Sequence, residues 1–151
     1  MTDLNELYEA QILDHNKSPR NRRRLEDADR RADGYNPLCG DKITVFIDLE
    51  DDLVKEVTFE GSGCAISTAS ASMMTQSLKG KTLDEAKALF AKFHSLITGE
   101  PCEIQNGPEL GKLEVFSGVC QYPARVKCAT LAWHTVNAAL EGDVDDIVST
   151  E

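Results

Sequence analysis

Positive charge is scarce in this chain of 151 residues: 16 lysines and arginines face 26 aspartates and glutamates, a net charge of −10. A general nucleic-acid binder needs a basic footprint, so that class is excluded. Long apolar runs are also missing, and none approaches the ~18 residues that cross a bilayer, so no membrane association is expected. Met1–Glu6 has neither the basic start nor the apolar stretch of a signal peptide, from which we expect a cytoplasmic, reducing compartment. Aromatics make up only 6%, and there are three histidines, His15, His94 and His134, each read as capping, packing or solvated rather than metal-bound. With 41% hydrophobic and 28% charged residues the composition is nevertheless that of a globular domain, not a disordered or fibrous chain.

What is present in an odd number is cysteine: Cys39, Cys64, Cys102, Cys120 and Cys128. Disulfides are rare in a reducing compartment, so these are read as thiols. No Cys-x-x-Cys pair occurs, and any cluster has to be assembled by the fold.

Periodicity supplies that fold in outline. Asp3–Asn16 carries Leu4, Leu7, Tyr8 and Ile12 on one face with Asp3 as N-cap and Glu6 three residues on, and Ser18-Pro19 ends the helix. A basic arm follows: Lys17, Arg20, Arg22, Arg23, Arg24, Arg30 and Arg31 hold seven of the sixteen positive charges, either as a solvated loop and edge strand or as a docking surface for an acidic partner. Between Lys42 and Glu60 the period becomes two. Ile43, Val45, Ile47 and Leu49 alternate with Thr44, Phe46, Asp48 and Glu50, and Leu53, Val57 and Phe59 continue the pattern after Asp51-Asp52, predicting a hairpin with one buried face. Arg30–Tyr35 can add a third antiparallel strand.

Helical patterns fill the rest. Ala65–Lys79 is rich in small residues, allowing close approach by another element, and Gly80 ends it. Thr82 and Glu85 form a capping box for a helix closed by Gly99, 101–111 is a loop, and a last helix runs from about Pro123 to Leu140. The expected class is α+β, a single domain over 1–142 with a small three-stranded antiparallel sheet against about five helices, followed by a frayed acidic tail over 143–151.

Three cysteines fall where structure changes character. Cys39 and Asp41 stand two apart in an extended segment and can face one point. Cys64 follows Gly61-Ser62-Gly63 at a strand-to-helix junction, where free backbone N–H groups favour a thiolate. Cys128 lies near the start of the last helix beside Arg125 and Lys127, cations that favour a thiolate too. Three thiolates and a carboxylate suit zinc or another thiophilic ion, while three separate buried hydrophobes is the competing reading. Cys102 and Cys120 stand in settings that suggest only free thiols.

The sequence resembles the U-type iron–sulfur cluster assembly proteins, and their SufU branch more than their IscU branch. Four stretches carry the resemblance, over about residues 7 to 140: Leu7-Tyr8 with Ile12-Leu13-Asp14-His15 through Pro19-Arg20-Asn21; Asn36-Pro37-Leu38-Cys39-Gly40-Asp41; Gly61-Ser62-Gly63-Cys64-Ala65-Ile66-Ser67 through Ser70-Ala71-Ser72-Met73-Met74; and Pro123-Ala124-Arg125-Val126-Lys127-Cys128-Ala129 with Leu131-Ala132-Trp133. IscU proteins carry a histidine where this chain has Lys127, and Gly99–Val119 looks like the SufU insertion. The resemblance implies a SufU/IscU-like fold and a zinc ligand set of Cys39, Asp41, Cys64 and Cys128. It implies a sulfur acceptor that takes persulfide sulfur from a PLP-dependent, SufS-like cysteine desulfurase, a partner histidine able to take one metal position. Sulfur would pass on to the assembly scaffold complex or apo-acceptor proteins. On that basis Cys39 is the expected acceptor and Arg125 the residue that stabilises its freed thiolate or persulfide, with Lys127 a weaker candidate. Two rival readings fit the same residues: a scaffold carrying iron or a [2Fe–2S] cluster, and an interaction module with structural zinc. A zinc hydrolase, typically His-rich with an open water position, is least in keeping with the residues.

Overall fold

The computed structural model describes residues 4–26, 28–36, 40–98, 110, 113, 116, 123–141 and 148–149. Helix α1 (Leu4–Lys17) precedes three strands, β1 (Arg30–Asn36), β2 (Asp41–Glu50) and β3 (Leu53–Ser62), and then come α2 (Ala65–Leu78), α3 (Leu83–Thr98), α4 (Pro123–Glu141) and the two-residue β4 (Val148–Ser149). The strands order as β3-β2-β1-β4. The three expected strands are there and antiparallel. Four helices stand among the described residues where about five were expected. Within the tail expected to fray, Val148 and Ser149 instead pair in parallel with Gly34 and Tyr35.

The hairpin turns at Asp51-Asp52, with Asp51 at φ 55, a left-handed conformation that aspartate tolerates better than bulkier residues. Alternation then sorts the side chains. Ala32, Ile43, Val45, Ile47, Val57 and Phe59 are buried on one face, which α4 and α2 cover. Phe46 departs from the expected solvent-facing series: it is 1% exposed because the guanidinium groups of Arg24 and Arg31 lie over its ring at 5.6 and 5.7 Å. The basic arm is thus wrapped on its own sheet. Its cations meet the chain's own acids, Arg20 with Asp14 at 2.7 Å, Arg23 with Glu56 at 3.4 Å and Arg24 with Glu60 at 3.2 Å, which leaves less free charge for a partner than the composition suggests.

The small residues of α2 work as expected. Ser70 Oγ donates to the carbonyl of Ala129 at 2.5 Å, so α2 and α4 pack nearly backbone to backbone. The capping box of α3 forms in both directions, Thr82 N–H to Glu85 Oε1 at 3.0 Å and Glu85 N–H to Thr82 Oγ1 at 3.1 Å. Trp133, on α4, stacks on Phe93 of α3 at 4.4 Å and is 1% exposed, at the centre of the helical core. α1 is fixed to α2 by buried His15, whose Nδ1 lies 2.7 Å from Ser72 Oγ, while the Arg20 N–H donates to the same hydroxyl at 2.8 Å. These contacts set α2 and α4 against the sheet with the start of each helix at the same end of it.

Candidate metal centre

At that end three ligand-bearing residues converge. The Cys64 and Cys128 sulfurs and an Asp41 carboxylate oxygen all lie within 4.8 Å of one another. Each comes from a different element: Asp41 opens β2, Cys64 caps α2 and Cys128 sits in the second turn of α4. Cys39 lies outside the described residues, as do Cys102 and Cys120, so the structure brings together three of the four expected ligands.

The backbone explains the convergence. Gly61 is at φ 145, and a Cβ there would strike the Lys42 carbonyl and crowd the Ile43 backbone. β3 can therefore leave the sheet close beside the start of β2. Gly63 has a second constraint: a Cβ would sit 2.6 Å from Asp41 Oδ1. Cys64 then enters α2 as N-cap, its sulfur accepting from the Ser67 N–H at 3.4 Å, the free-amide setting that the strand-to-helix junction predicts.

Asp41 is fully buried, and both of its oxygens are held. Oδ1 accepts from the Cys64 N–H at 2.9 Å and Oδ2 from Asn36 Nδ2 at 3.2 Å. Asn36, also fully buried, donates as well to Cys128 Sγ at 3.6 Å. Nothing in the local sequence points to this residue. It is an asparagine before a proline at a strand end, ordinary loop chemistry, and the partner sulfur stands 92 residues away.

Electrostatics favour thiolate at Cys64. A hydrogen bond from the Cys128 thiol is the main cause, burial opposes it, the Ser67 N–H helps, Asp41's charge opposes, and the Ile66 N–H helps; the result is a pKa pushed down from 9.0 to about 6. Because the folded value lies below the unfolded one, metal-free protein draws its full stabilisation from this group only above about pH 9, and loses it as the pH falls through about 6. Alkylation of half-buried Cys64 in metal-free protein accordingly has a midpoint near pH 6, read by mass spectrometry of the Cys64 peptide across a pH series; a midpoint near 9 would contradict this local arrangement. Arg125 stands exposed on the first turn of α4, one turn before Cys128, and is not among the causes that shift Cys64.

The donor set suits a thiophilic cation. Two sulfurs and one carboxylate oxygen, gathered closely enough for one ion and shielded at Asp41 and Cys128, match the ligand types of tetrahedral zinc, with a fourth position left for a further thiolate. The histidines take no part. His94 and His134 lie 5.7 Å apart, and each packs on Phe90. Burial first, and then the neighbouring His94 charge, holds His134 below its usual 6.5.

Comparison with known proteins finds relatives over most of the chain. The family described as the NifU-like N terminal domain matches residues 7–129. A Bacillus subtilis (strain 168) protein named zinc-dependent sulfurtransferase SufU is 44% identical over 131 residues, 87% of each chain. A Streptococcus pyogenes serotype M1 protein named iron–sulfur cluster assembly scaffold protein IscU is 38% identical over 93% of this chain and 87% of its own. Among solved structures, a Fervidobacterium islandicum AW-1 protein assigned as an iron–sulfur cluster assembly scaffold for the SUF system superposes with a TM-score of 0.80 at 34% identity, over 89% of this chain and 96% of that one.

Proposed function

We propose, from the premise that this chain belongs to the NifU-like N-terminal domain family, that it serves iron–sulfur cluster biogenesis as a zinc-dependent sulfur acceptor and carrier. The observation that carries the reading is the convergence of Asp41, Cys64 and Cys128, with Cys39 two residues before Asp41 in the chain. Zinc held there would keep the cysteine sulfurs as thiolates at neutral pH.

The chain's own residues divide the work. Asp41 is pinned at both oxygens, Cys64 is built into a helix cap, and Cys128 lies within a helix and accepts from Asn36. Cys39 precedes exposed Gly40 at φ 72, a backbone conformation that favours glycine, and on that neighbour it is assigned the role of acceptor. In the proposed step the Cys39 thiolate attacks the outer sulfur of a persulfide on a PLP-dependent cysteine desulfurase. The new S–S bond forms on Cys39, the donor's S–S bond breaks, and its electron pair leaves on the donor cysteine as thiolate. Exposed Arg125, one turn before Cys128, is assigned the task of meeting the negative charge of a freed thiolate or persulfide. The sulfur then passes to an assembly complex or an apo-acceptor protein.

Replacing Cys39 by serine tests the assignment. Sulfur uptake from the desulfurase is expected to fall to background, and uptake at the wild-type rate would remove Cys39 from the role. A scaffold holding a [2Fe–2S] cluster is the second reading, favoured by the relative named as a scaffold and by a thiolate set that suits either metal. Anaerobically purified protein separates the two: stoichiometric zinc without visible absorbance supports the carrier, and iron with labile sulfide supports the scaffold.

A further inference from the structure

We propose that Asn36 is the positioning residue of the metal centre, cross-linking two of its ligands, Asp41 and Cys128. The inference rests on the metal reading of the site and names a residue that touches the ligands rather than the ion. Asn36 is the last residue of β1, directly opposite Asp41 in the β1–β2 register. Its carbonyl accepts the Gly40 N–H at 2.8 Å, which ties the end of β1 to the residue just before Asp41. Its side chain works in the other direction, donating to Asp41 Oδ2 at 3.2 Å and to Cys128 Sγ at 3.6 Å.

The orientation of the amide follows from chemistry. A carboxylate and a metal-bound thiolate only accept, so the group turned to both has to be the NH₂, which has two hydrogens to give. Asn36 is fully buried, and water cannot replace it cheaply there. A neutral donor shared by a hard oxygen ligand and a soft sulfur ligand fixes their separation and draws charge from both, without adding a cation to the site.

Asn36→Asp keeps the shape and replaces the donor by an acceptor, and Asn36→Ala removes the group. Both are expected to weaken zinc binding about 10- to 100-fold in chelator competition, the usual loss for a ligand-orienting partner. Both are also expected to shift or weaken the sulfur-to-cobalt charge-transfer bands of the cobalt(II)-loaded protein. Burial of Trp133, followed by its emission, reports whether each variant is folded. A folded variant with wild-type zinc affinity and an unchanged cobalt spectrum overturns the proposal. Should both variants unfold, the wild-type protein decides: zinc addition is expected to move the Asn36 side-chain amide resonances and slow their exchange, and resonances indifferent to zinc overturn the proposal. Wild-type protein that takes up neither zinc nor cobalt contradicts the metal reading itself, whereas metal uptake indifferent to Asn36 contradicts this inference alone.

Discussion

Cys128→Ser is expected to abolish the stoichiometric zinc binding proposed for this centre. The sulfur lies within 4.8 Å of the Asp41 and Cys64 ligand atoms, and Cys128 is 3% exposed, so the position it fills is shielded from water. Serine offers a hydroxyl that is a poor ligand at neutral pH and lacks the softness of thiolate. Two further contacts are lost or weakened with it: the acceptor for Asn36 and the thiol proton that holds Cys64 as thiolate. Losing a partner that only orients a ligand costs about 10- to 100-fold in metal affinity, and losing the ligand itself is expected to cost more than about 100-fold. Zinc affinity by chelator competition, with zinc content after gel filtration, measures this. The fold should survive, because Cys128 sits at the rim of the core while Trp133, Phe93 and Leu131 form its centre. Cys102→Ser serves as the contrast, with zinc binding at the wild-type level.

Gly34→Val is expected to produce the largest loss of stability. Gly34 lies on the face of β1 that α4 crosses, and a Cβ there would drive into the Thr135 hydroxyl and come within 3.1 Å of both Ile43 Cγ2 and Leu131 Cδ1. Thr135 is committed, its hydroxyl donating to the Leu131 carbonyl at 2.7 Å, so the helix itself has to move. Overpacking of this kind costs about 3 kcal/mol. For a chain of this size that lowers the melting midpoint by ~6–12 °C. The displacement also reaches the metal centre, since Cys128 rides on the same helix two turns earlier. Thermal unfolding followed by Trp133 emission gives the first effect, and zinc affinity at 20 °C below the new midpoint the second. A variant that melts like the wild type would contradict the close approach of α4 to β1.

Much of this arrangement is legible in the residues, and the reason is local. The alternation of Ile43, Val45 and Ile47, the Thr82–Glu85 box and the glycines ahead of Cys64 are short-range patterns, and each leads to the element it predicts. The approach of Cys64 to Asp41 is legible because strand ends and helix starts expose backbone and bring side chains to one edge of a sheet. Long-range partners are another matter. Phe46 has the position of a solvent-facing residue in its strand, and only the return of Arg24 and Arg31 across the sheet buries it. Val148 and Ser149 follow a run of aspartates that reads as frayed, and their place beside Gly34 and Tyr35 depends on an edge more than a hundred residues earlier in the chain. Asn36 belongs to the same class, because a buried amide acquires its meaning from acceptors on β2 and α4. Gly63 does too: the need for hydrogen instead of methyl comes from the Asp41 carboxylate packed against it.

Sulfur transfer to this chain is the central claim, and persulfide mapping tests it most directly. Purified zinc-loaded protein is mixed with a cysteine desulfurase and cysteine, its thiols are trapped by alkylation, and its cysteine peptides are read by mass spectrometry. The added sulfur is expected on Cys39, with Cys102 and Cys120 unmodified. No persulfide above a control without desulfurase, or persulfide confined to Cys102 and Cys120, would contradict a sulfur carrier built on Cys39, Asp41, Cys64 and Cys128.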